Sequence, residues 1–439
     1  MMDNALMTTS RITELRLTRF KGFREETFNV LPFSMLIGPN GSGKSNTLDA
    51  LSLLALLASD RTLSDLDRDD PEVAGLRGGL SGCSPFGVEK IKIGVSVDID
   101  TVTTASLDVE LDPTTSEIAS ERLTLQQRDR SDITLIDAER ESVGSGLLNA
   151  KVYSGRYPKN FTMPANRLTT FQCISRVPTD TKSRQLVVST AQHVIQTLAG
   201  ILVLDPVPSR MRTYTRIGAD PDRTASTLSA QLYELRDDSE SWESVVSMVR
   251  ALINAPNTDI TFSVGKLEHV NNPTDVMAAL RSVGPDGEFV TPASTMSDGT
   301  LRYLAILTSL QTLNRPQNHG EFESSRTIVI EEVENGLFPE QASDLLSTLK
   351  TQAARHDITL ILTTHSPALL NATTPEDHEG ITTVSRDETS LSHLTSLPDH
   401  PNYLDLVERG KLGSEISSGA LTDSSVPTRT MTKIGDLLS

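Results

Sequence analysis

Apolar residues recur with two different periods along the chain, and these periods divide it into regions of different predicted structure. Residues 11–37 predict a strand, a turn and a second strand, which ends in the apolar run 33–37. Apolar residues then repeat at helical spacing over residues 44–58. From residue 90 to about 153, short runs alternate apolar with polar residues, which is typical of an antiparallel meander with one solvated face.

The middle of the chain has a different character. Two apolar helical faces predict helices, and they consist of Val188, Ala191, Ile195, Leu198, Trp242, Val245, Val246, Val249, Leu252 and Ile253. Residues 260–264 alternate like a strand, so we expect a mainly helical insertion that ends in a return to the sheet. Residues 294–370 alternate helices with apolar strands, as in a parallel α/β sheet. No heptad pattern is sustained over three or four heptads, which argues against a long coiled-coil arm.

These regions predict four units. They are an N-terminal lobe with a β-subdomain (1–153), a mainly helical insertion (154–290), a C-terminal lobe (291–396) and a polar tail (397–439). Within the tail, residues 422–431 have the composition of a disordered segment.

Composition narrows the class of protein. The 439 residues include 40 Lys and Arg against 58 Asp and Glu, a net charge of −18, which argues against coating nucleic acid by bulk attraction. Two cysteines exclude a disulfide framework and a cysteine-built zinc site. No apolar run approaches the roughly 18 residues of a membrane span. The N-terminus lacks the pattern of a secretion signal, so we expect a cytoplasmic protein without membrane contact.

The first chemical motif is a glycine-rich loop between the apolar run 33–37 and the next helix. The loop fits the pattern G-x-x-x-x-G-K-[ST] with the residues Gly38, Pro39, Asn40, Gly41, Ser42, Gly43, Lys44 and Ser45. Such a P-loop turns backbone N–H groups toward phosphate oxygens, and the helix N-terminus adds partial positive charge. We expect Lys44 to reach the β- and γ-phosphates of a nucleotide and the Ser45 hydroxyl to ligate Mg²⁺.

The second motif is an apolar run that ends in acids. Residues 327–330 predict a buried parallel strand, and Glu331 and Glu332 follow it directly. Ligands of open α/β sheets bind at this carboxyl edge. One carboxylate there would belong to the Mg²⁺ shell, and the next would orient or deprotonate the attacking water. Glu332 is therefore the predicted general base.

The third motif is a histidine at the end of another apolar strand, predicted over residues 358–362. The strand leads into Thr363, Thr364 and His365. A histidine there can donate a hydrogen bond to a γ-phosphate oxygen as negative charge develops. Its place one strand beyond the acidic pair favours this catalytic interpretation over a structural one.

The fourth motif is a capped helix. Ser297 is placed to act as the N-cap of a helix that we expect from about Asp298 to Leu310. Capped helices are common, so this one gains meaning only from its order among the other three motifs.

The ordered set of motifs resembles ATP-binding-cassette (ABC)-type ATPases, and more narrowly their SMC/RecF/OLD branch, which acts on DNA. Residues 15–23 resemble the strand and Phe-Lys turn that open that branch, and residues 38–46, which end in Asn46, resemble its P-loop. Residues 297–300, 331–339 and 364–367 are similar to prokaryotic OLD-like AAA-type ATPases, many of which belong to anti-phage or DNA-repair operons. The resemblance implies an α/β fold: an ABC-type P-loop ATPase head, a mixed sheet with an antiparallel β-subdomain, which carries a helical insertion.

The resemblance also implies ligands and partners. ATP and Mg²⁺ would be the cofactors, with the nucleotide held by residues 38–46 and the metal by Ser45 and Glu331. The signature residues Ser297 and Gly299 would act in trans, facing the γ-phosphate on the P-loop of a second subunit. We therefore expect a head-to-tail homodimer or a higher oligomer.

Two departures from the family pattern concern the metal. Glu331 stands where the family has Asp, so the assignment of roles among Glu331, Glu332 and Glu334 stays open. The Mg²⁺-sensing glutamine would be Gln126 or Gln127, since none precedes them, or would be absent. In its absence, hydrolysis would be slow or would depend on a partner.

Two further departures exclude related activities. The signature has Asp298 and Gly299 where transporter ATPases have two glycines, which argues against a transporter subunit. OLD nucleases carry a Toprim nuclease after the histidine, but only 73 residues follow Ser366 here, without an Asp-x-Asp pair. Any nuclease or toxin would therefore be a separate effector chain.

The expected function is Mg²⁺-dependent ATP hydrolysis by a motor or sensor in DNA repair or anti-phage defence. The alternative is an ATP-dependent scaffold that sequesters and releases a separate effector. A transporter subunit is a third hypothesis, which the signature disfavours. Contact with DNA is open. Basic clusters at residues 11–24 and 207–216 would be its candidate surfaces, although such clusters are more often solvated faces.

Overall fold

The computed structural model describes residues 9–59, 61–66, 75–85, 88–128, 130–253, 255–265, 274–285, 287–313, 326–408 and 412–413. Its strands are β1 (Arg11–Phe20), β2 (Phe23–Asn29), β3 (Phe33–Ile37), β4 (Ile91–Asp100), β5 (Thr103–Asp112), β6 (Glu117–Gln127), β7 (Ile133–Arg140), β8 (Leu147–Val152), β9 (Lys159–Pro164), β10 (Ile201–Leu204), β11 (Thr215–Arg216), β12 (Thr258–Gly265), β13 (Asp275–Gly284), β14 (Gly287–Pro292), β15 (Thr327–Ile330), β16 (Thr359–Thr364), β17 (Ile381–Arg386) and β18 (Ser392–Ser396). Its α-helices are α1 (Lys44–Leu57), α2 (Thr169–Arg176), α3 (Lys182–Ala199), α4 (Pro208–Met211), α5 (Leu228–Leu235), α6 (Ser239–Leu252), α7 (Asp298–Leu313), α8 (Pro339–Arg355), α9 (Pro367–Asn371) and α10 (Tyr403–Glu408).

One large mixed sheet organises the molecule. Among the described residues it has 14 strands in the order β10-β15-β16-β3-β17-β18-β2-β1-β4-β5-β6-β7-β8-β9. Its first five strands are parallel to one another, and the strands from β2 to β9 form an antiparallel meander. This is the predicted fold class, a mixed α/β sheet with an antiparallel half.

The two halves differ in burial because their strands differ in pattern. Strands β15 and β16 of the parallel half are buried at every position, as expected for strands covered by helices on both faces. Strand β5 of the meander alternates buried with partly exposed residues. Two buried apolar clusters result, one under α1, α3 and the meander and the other under α7 and α8.

Three details of the prediction were wrong. Residues 11–37 contain three strands rather than two, because a tight turn at Lys21 and Gly22 divides the first alternating run into β1 and β2. The strand expected at 260–264 forms as β12, but it pairs with β13 in a second sheet instead of returning to the large one. Strand β10, which we did not predict, is the segment that reaches the large sheet, where it pairs with β15.

Two predicted helix starts are confirmed, and one predicted segment lies outside the described residues. Helices α1 and α7 begin at Lys44 and Asp298, as the loop and cap patterns predicted. The segment 422–431, predicted to be disordered, lies outside the described residues. No helix in the described ranges has the length and apolar character needed to cross a bilayer.

The parallel half brings three of the predicted motifs to one edge. Strand β16 pairs with β3 on one side and with β15 on the other, so Ile37 lies opposite Thr364 and Ile330 lies opposite Leu362. Because parallel strands point the same way, the P-loop, the acidic pair and the histidine all follow strand ends at the same carboxyl edge.

The fourth motif reaches this region through a close backbone contact. A Cβ added to Gly299, in the first turn of α7, would lie 2.1 Å from the carbonyl oxygen of Gly336. Gly336 itself has φ of +79°, a conformation that glycine adopts most readily. Helix α7 therefore lies directly on the loop that follows β15, with no room for a side chain between them.

Replacing Gly299 with alanine should lower the free energy of unfolding by roughly 1–3 kcal/mol, the usual cost of forcing extra carbon into a packed site. Urea unfolding measures this. The matched control is Gly265→Ala, whose new Cβ would meet nothing nearer than 3.5 Å and should change stability by less than about 0.5 kcal/mol. Equal stability of the two variants would contradict the close approach at Gly299.

Candidate active site

The P-loop has the backbone that its sequence demands. Gly43 adopts φ of +121°, and a Cβ at this position would lie 2.6 Å from the Ser392 hydroxyl oxygen on β18. A larger residue would be strained on both counts. Helix α1 starts directly after it, without an acidic residue in its first turn. The positive end of the helix dipole is thus left for an anion.

Lys44 is held inside this loop. Its side chain is largely buried, and Nζ donates hydrogen bonds to the carbonyl oxygens of Gly38 at 2.6 Å and Pro39 at 3.1 Å. Burial lowers the pKa of Lys44, although the nearby carboxylates of Glu332, Glu334 and Glu331 act in the opposite direction. A cleft of about 270 Å³ opens beside it, lined by Asn40, Gly41, Gly43, Lys44, Ser45, Asn46, Glu332 and Thr363.

Ser45 and Glu331 meet as predicted for a metal pair. The Ser45 hydroxyl donates a hydrogen bond to Oε1 of Glu331. Burial raises the pKa of Glu331, but Arg77, the Ser45 hydroxyl and Arg223 outweigh it, so the net pKa lies below the usual value and the carboxylate is ionised at neutral pH.

A hydroxyl and a carboxylate at the mouth of a P-loop are oxygen ligands that suit Mg²⁺. In the described part of the chain, no group of three or more His, Cys, Asp and Glu side chains is arranged to hold a metal ion. Mg²⁺ is commonly bound through one or two protein ligands together with phosphates and water. The donor set present fits that mode, with Ser45 and Glu331 as the protein's contribution.

Two arginines that the sequence analysis missed surround Glu331. Arg77 Nη1 lies 3.2 Å from Glu331 Oε1, and Arg223 Nη2 lies 2.9 Å from Oε2. Arg223 also donates to the carbonyl oxygen of Gly75 at 2.7 Å. Both arginines come from segments without regular spacing, so their sequence offers no signal for this role.

Asp49 is the buried partner of the same cations. This residue of α1 is 1% exposed and lies 3.1 Å from Arg77, 3.6 Å from Arg223 and 2.5 Å from Lys21 Nζ. An ionised carboxylate in such a place requires paired charges. The one available sequence signal was a lone acid inside the apolar run of α1.

Glu332 has the geometry of a functional position. Its φ is +47°, an uncommon conformation for a residue with a side chain, and such conformations gather at active sites. Its backbone N–H donates to the Thr363 hydroxyl at 2.9 Å, and Asn335 donates a hydrogen bond to its carboxylate. The side chain borders the cleft beside Lys44, where a base acting on water would have to be.

Glu334 contacts the histidine strand. Its Oε1 accepts hydrogen bonds from the Thr364 hydroxyl at 2.8 Å and from the His365 backbone N–H at 2.9 Å. The ring Nδ1 of His365 lies 3.4 Å from the same oxygen and 3.9 Å from a Glu332 carboxylate oxygen. The sequence left open the roles of three acids, and the structure places each differently. Glu331 contacts Ser45, Glu332 borders the cleft and Glu334 contacts His365.

The signature residues lie apart from this cleft. Ser297 caps α7, since its Oγ accepts a hydrogen bond from the Thr300 N–H at 3.1 Å. Neither Ser297 nor Gly299 is among the residues that line the cleft at the P-loop. Their action on a second subunit remains a prediction.

The glutamine candidates also lie elsewhere. Strand β6, which carries Gln126 and Gln127, is the seventh strand from β3 in the sheet. Gln126 donates to Asp132 at 3.1 Å, and Gln127 accepts from Arg130 at 3.1 Å. The structure brings neither of them to the P-loop.

The first basic cluster is largely used within the chain. Arg11 pairs with Asp357 at 2.8 Å, and Lys21 pairs with the buried Asp49. Arg16 contacts Glu14 and lies 3.4 Å from Asp108. These side chains are neutralised locally, so the cluster offers less positive surface to DNA than the sequence implied.

The chain is similar to several known proteins. The chain matches the family described as "AAA domain, putative AbiEii toxin, Type IV TA system" over residues 33–162 and 202–371, about two thirds of its length. It is 40% identical over 62 residues to Structural maintenance of chromosomes protein 1 of Saccharomyces cerevisiae, a match that covers 13% of this chain and 5% of the yeast protein. The chain thus spans a small part of that relative.

Two solved structures are also similar. One is the SMC head domain from Thermotoga maritima, with a TM-score of 0.40 and 14% identity over 88% of this chain and 98% of that one. The other is the Smc head domain of Pyrococcus furiosus with an extended coiled coil, bound to the C-terminal domain of ScpA, with a TM-score of 0.46 and 11% identity over 91% and 100% of the two chains.

The family match includes the P-loop, the acidic strand, the signature helix and the histidine. It confirms the resemblance to SMC/RecF/OLD-like ABC-type ATPases that the four motifs predicted. The chain belongs to the AAA-domain family that bears the AbiEii description.

Proposed function

We propose that the protein hydrolyses ATP in a Mg²⁺-dependent reaction. The observation that carries this proposal is the contact between Ser45 and Glu331 at the mouth of the P-loop, with Lys44 buried beside the same cleft. This is the arrangement that a nucleoside triphosphate with its metal needs, since the metal ion and the lysine together neutralise the charge of the phosphates.

Within that arrangement each side chain has a separate task. Lys44 would exchange its carbonyl partners for phosphate oxygens, which are stronger acceptors because they are charged. Ser45 and Glu331 would hold Mg²⁺, and bound Mg²⁺ would neutralise charge on the phosphates. Glu332 would take a proton from the attacking water, and His365 would donate a hydrogen bond to the γ-phosphate.

The assembly and the biological role follow from the family resemblance. We propose a head-to-tail homodimer in which Ser297 and the N-terminus of α7 complete the site of the second subunit. A cytoplasmic motor or sensor in DNA repair or anti-phage defence would use ATP to close this dimer and hydrolysis to open it. DNA contact is a part of this proposal that salt-dependent binding would test.

A second candidate is an ATP-dependent scaffold that holds and releases a separate effector protein. It is favoured by the position of Gln126 and Gln127, which pair with Asp132 and Arg130 far along the sheet. Without a glutamine at the metal, hydrolysis would be slow, so ATP would stay bound for a long time before it is hydrolysed. Hydrolysis would then serve to reset the scaffold.

Replacing Glu332 with glutamine should lower ATP turnover by about 10²–10⁴-fold, the usual contribution of a general base. Glutamine keeps the shape of the side chain but cannot accept the proton. Binding of a fluorescent ATP analogue should persist, which separates chemistry from affinity. Glu340→Gln, an exposed change in α8, is the control and should turn over normally. Unchanged turnover in Glu332→Gln would refute the assignment of the base.

Replacing Ser45 with alanine should lower the affinity of the nucleotide-bound protein for Mg²⁺ by about 10–100-fold. Titrating Mg²⁺ against a fixed fluorescent ATP analogue measures this. Ser59→Ala, just beyond the C-terminal end of α1, the helix that contains Ser45, should leave the titration unchanged. A Ser45→Ala titration identical to that of the native protein would remove Ser45 from the metal site.

The two candidate functions differ in basal rate. A scaffold should turn over ATP well below about 1 s⁻¹, the lower end of typical enzyme rates, and should speed up when its effector or DNA is added. Steady-state turnover of the purified protein, alone and with DNA, measures this. Fast turnover of the protein alone would count against the scaffold and in favour of the motor.

A further inference from the structure

Arg212, in the segment that follows β10, reaches the start of α7. Arg212 lies just after the short helix α4, and its guanidinium faces residues 293–297, here called the signature loop, and the first residue of α7. In the sequence, Arg212 belongs to the basic cluster at residues 207–216. The contacts give it a different task.

The guanidinium binds the signature loop by several donors at once. Its Nη1 donates to the carbonyl oxygen of Met296 at 2.7 Å and to that of Ser294 at 3.1 Å, with Ala293 at the limit of 3.5 Å. Its Nη2 donates to Oδ1 of Asp298 at 2.5 Å. Arginine suits such a site because its planar group offers five donors in a fixed fork.

These contacts fix the loop on the N-terminal side of Ser297. The side chains of Ala293 and Met296 are buried, so apolar packing fixes the loop on its inner side. Arg212 binds the carbonyl groups of the same loop. The geometry of the Ser297 cap depends on the residues that precede it. Arg212 thus supports the backbone that presents Ser297 and the first N–H groups of α7.

The charge of Asp298 gives Arg212 a second effect. An acid in the first turn is favourable for the helix itself, but it would repel a phosphate that approaches the same helix end. The ion pair with Arg212 offsets that charge. It also gives a reason for the departure from the transporter signature, because a glycine in place of Asp298 would leave the guanidinium without its carboxylate.

We propose that Arg212 is a positioning residue for the trans site of the dimer. It holds the signature loop in one conformation and neutralises Asp298, so that Ser297 and the N-terminus of α7 can accept the γ-phosphate bound by the second subunit. This inference rests on the proposed ATP-dependent dimer.

The experiment uses the full chain with Glu332→Gln, which retains ATP in the proposed mechanism. In this parent, Arg212→Ala should weaken ATP-dependent dimerisation by about tenfold or more, since it removes hydrogen bonds from a charged group. Analytical ultracentrifugation over a range of protein concentrations measures the dimer. Arg216→Ala, an exposed arginine of the same basic cluster, is the matched control and should dimerise like the parent.

Two further readouts separate positioning from general stability. Hydrogen exchange of residues 293–300 in the nucleotide-free protein should become faster in Arg212→Ala and stay unchanged in Arg216→Ala. Adding Asp298→Gly to Arg212→Ala should restore part of the dimer, because the repulsive charge is then gone. A loss of structure alone would not be rescued by removing an acid.

The outcomes distinguish the two levels of the proposal. A parent that forms no dimer with ATP would overturn the proposed dimer itself. A parent that dimerises, with Arg212→Ala dimerising equally well, would overturn only the role of Arg212. If hydrogen exchange of residues 293–300 becomes faster in Arg212→Ala but dimerisation is unchanged, Arg212 stabilises only the local structure, and its role in the dimer would be overturned.

Discussion

Two carboxylates, Asp49 and Glu331, lie buried at the carboxyl edge of the sheet, and each needs cations beside it. Removing a charge from water is costly unless it is paired and hydrogen-bonded. Arg77 and Arg223 lie between the two acids and contact both. The pairing joins elements that are distant in sequence: helix α1, the loop after it, the segment between β11 and α5, and the end of β15. The pair proposed to hold Mg²⁺, Ser45 and Glu331, thus depends on a charge network rather than on Glu331 alone.

The network also orders the two oxygens of Glu331. Oε1 accepts from both Ser45 and Arg77, whereas Oε2 is bonded to Arg223. A cation held between Ser45 and Glu331 would compete with Arg77 for Oε1, because two positive groups repel at short range. Arg223, on the other oxygen, can keep the carboxylate in place. The longer side chain of glutamate thereby remains oriented where the family pattern has aspartate.

The turn after β15 distributes the acids that follow. Glu332 enters the left-handed region, and Gly336 does the same four residues later beneath Gly299. Glu331 therefore faces Ser45, Glu332 borders the cleft and Glu334 reaches the strand of His365. The same turn supports the start of α7, where Arg212 fixes the signature loop from the other side. One short loop thus connects the proposed metal ligands, the proposed base and the signature loop.

The sequence by itself determined three strands of the parallel half, β3, β15 and β16, and the residues at their carboxyl ends. Apolar runs such as 327–330 and the P-loop pattern depend on local rules, and the same rules place Lys44 and Asp298 at the starts of their helices. The sequence could not show that residues 11–37 contain a third strand or that β12 joins a second sheet. Strand partners are chosen by long-range packing, which a local pattern does not record.

Only the tertiary structure decided what surrounds the acids. Arg77, Arg212 and Arg223 come from loops without periodicity, and in the sequence they look like ordinary solvated charges. Arg77 and Arg223 contact Glu331 from 254 and 108 residues away along the chain, and Arg212 contacts Asp298 from 86 residues away. Burial makes the pairings of Glu331 and Asp49 necessary, because a buried carboxylate is costly without a cation beside it. Burial is a property of the folded chain. The sequence therefore indicated the residues proposed to bind the nucleotide, while the fold decided which residues hold them in place.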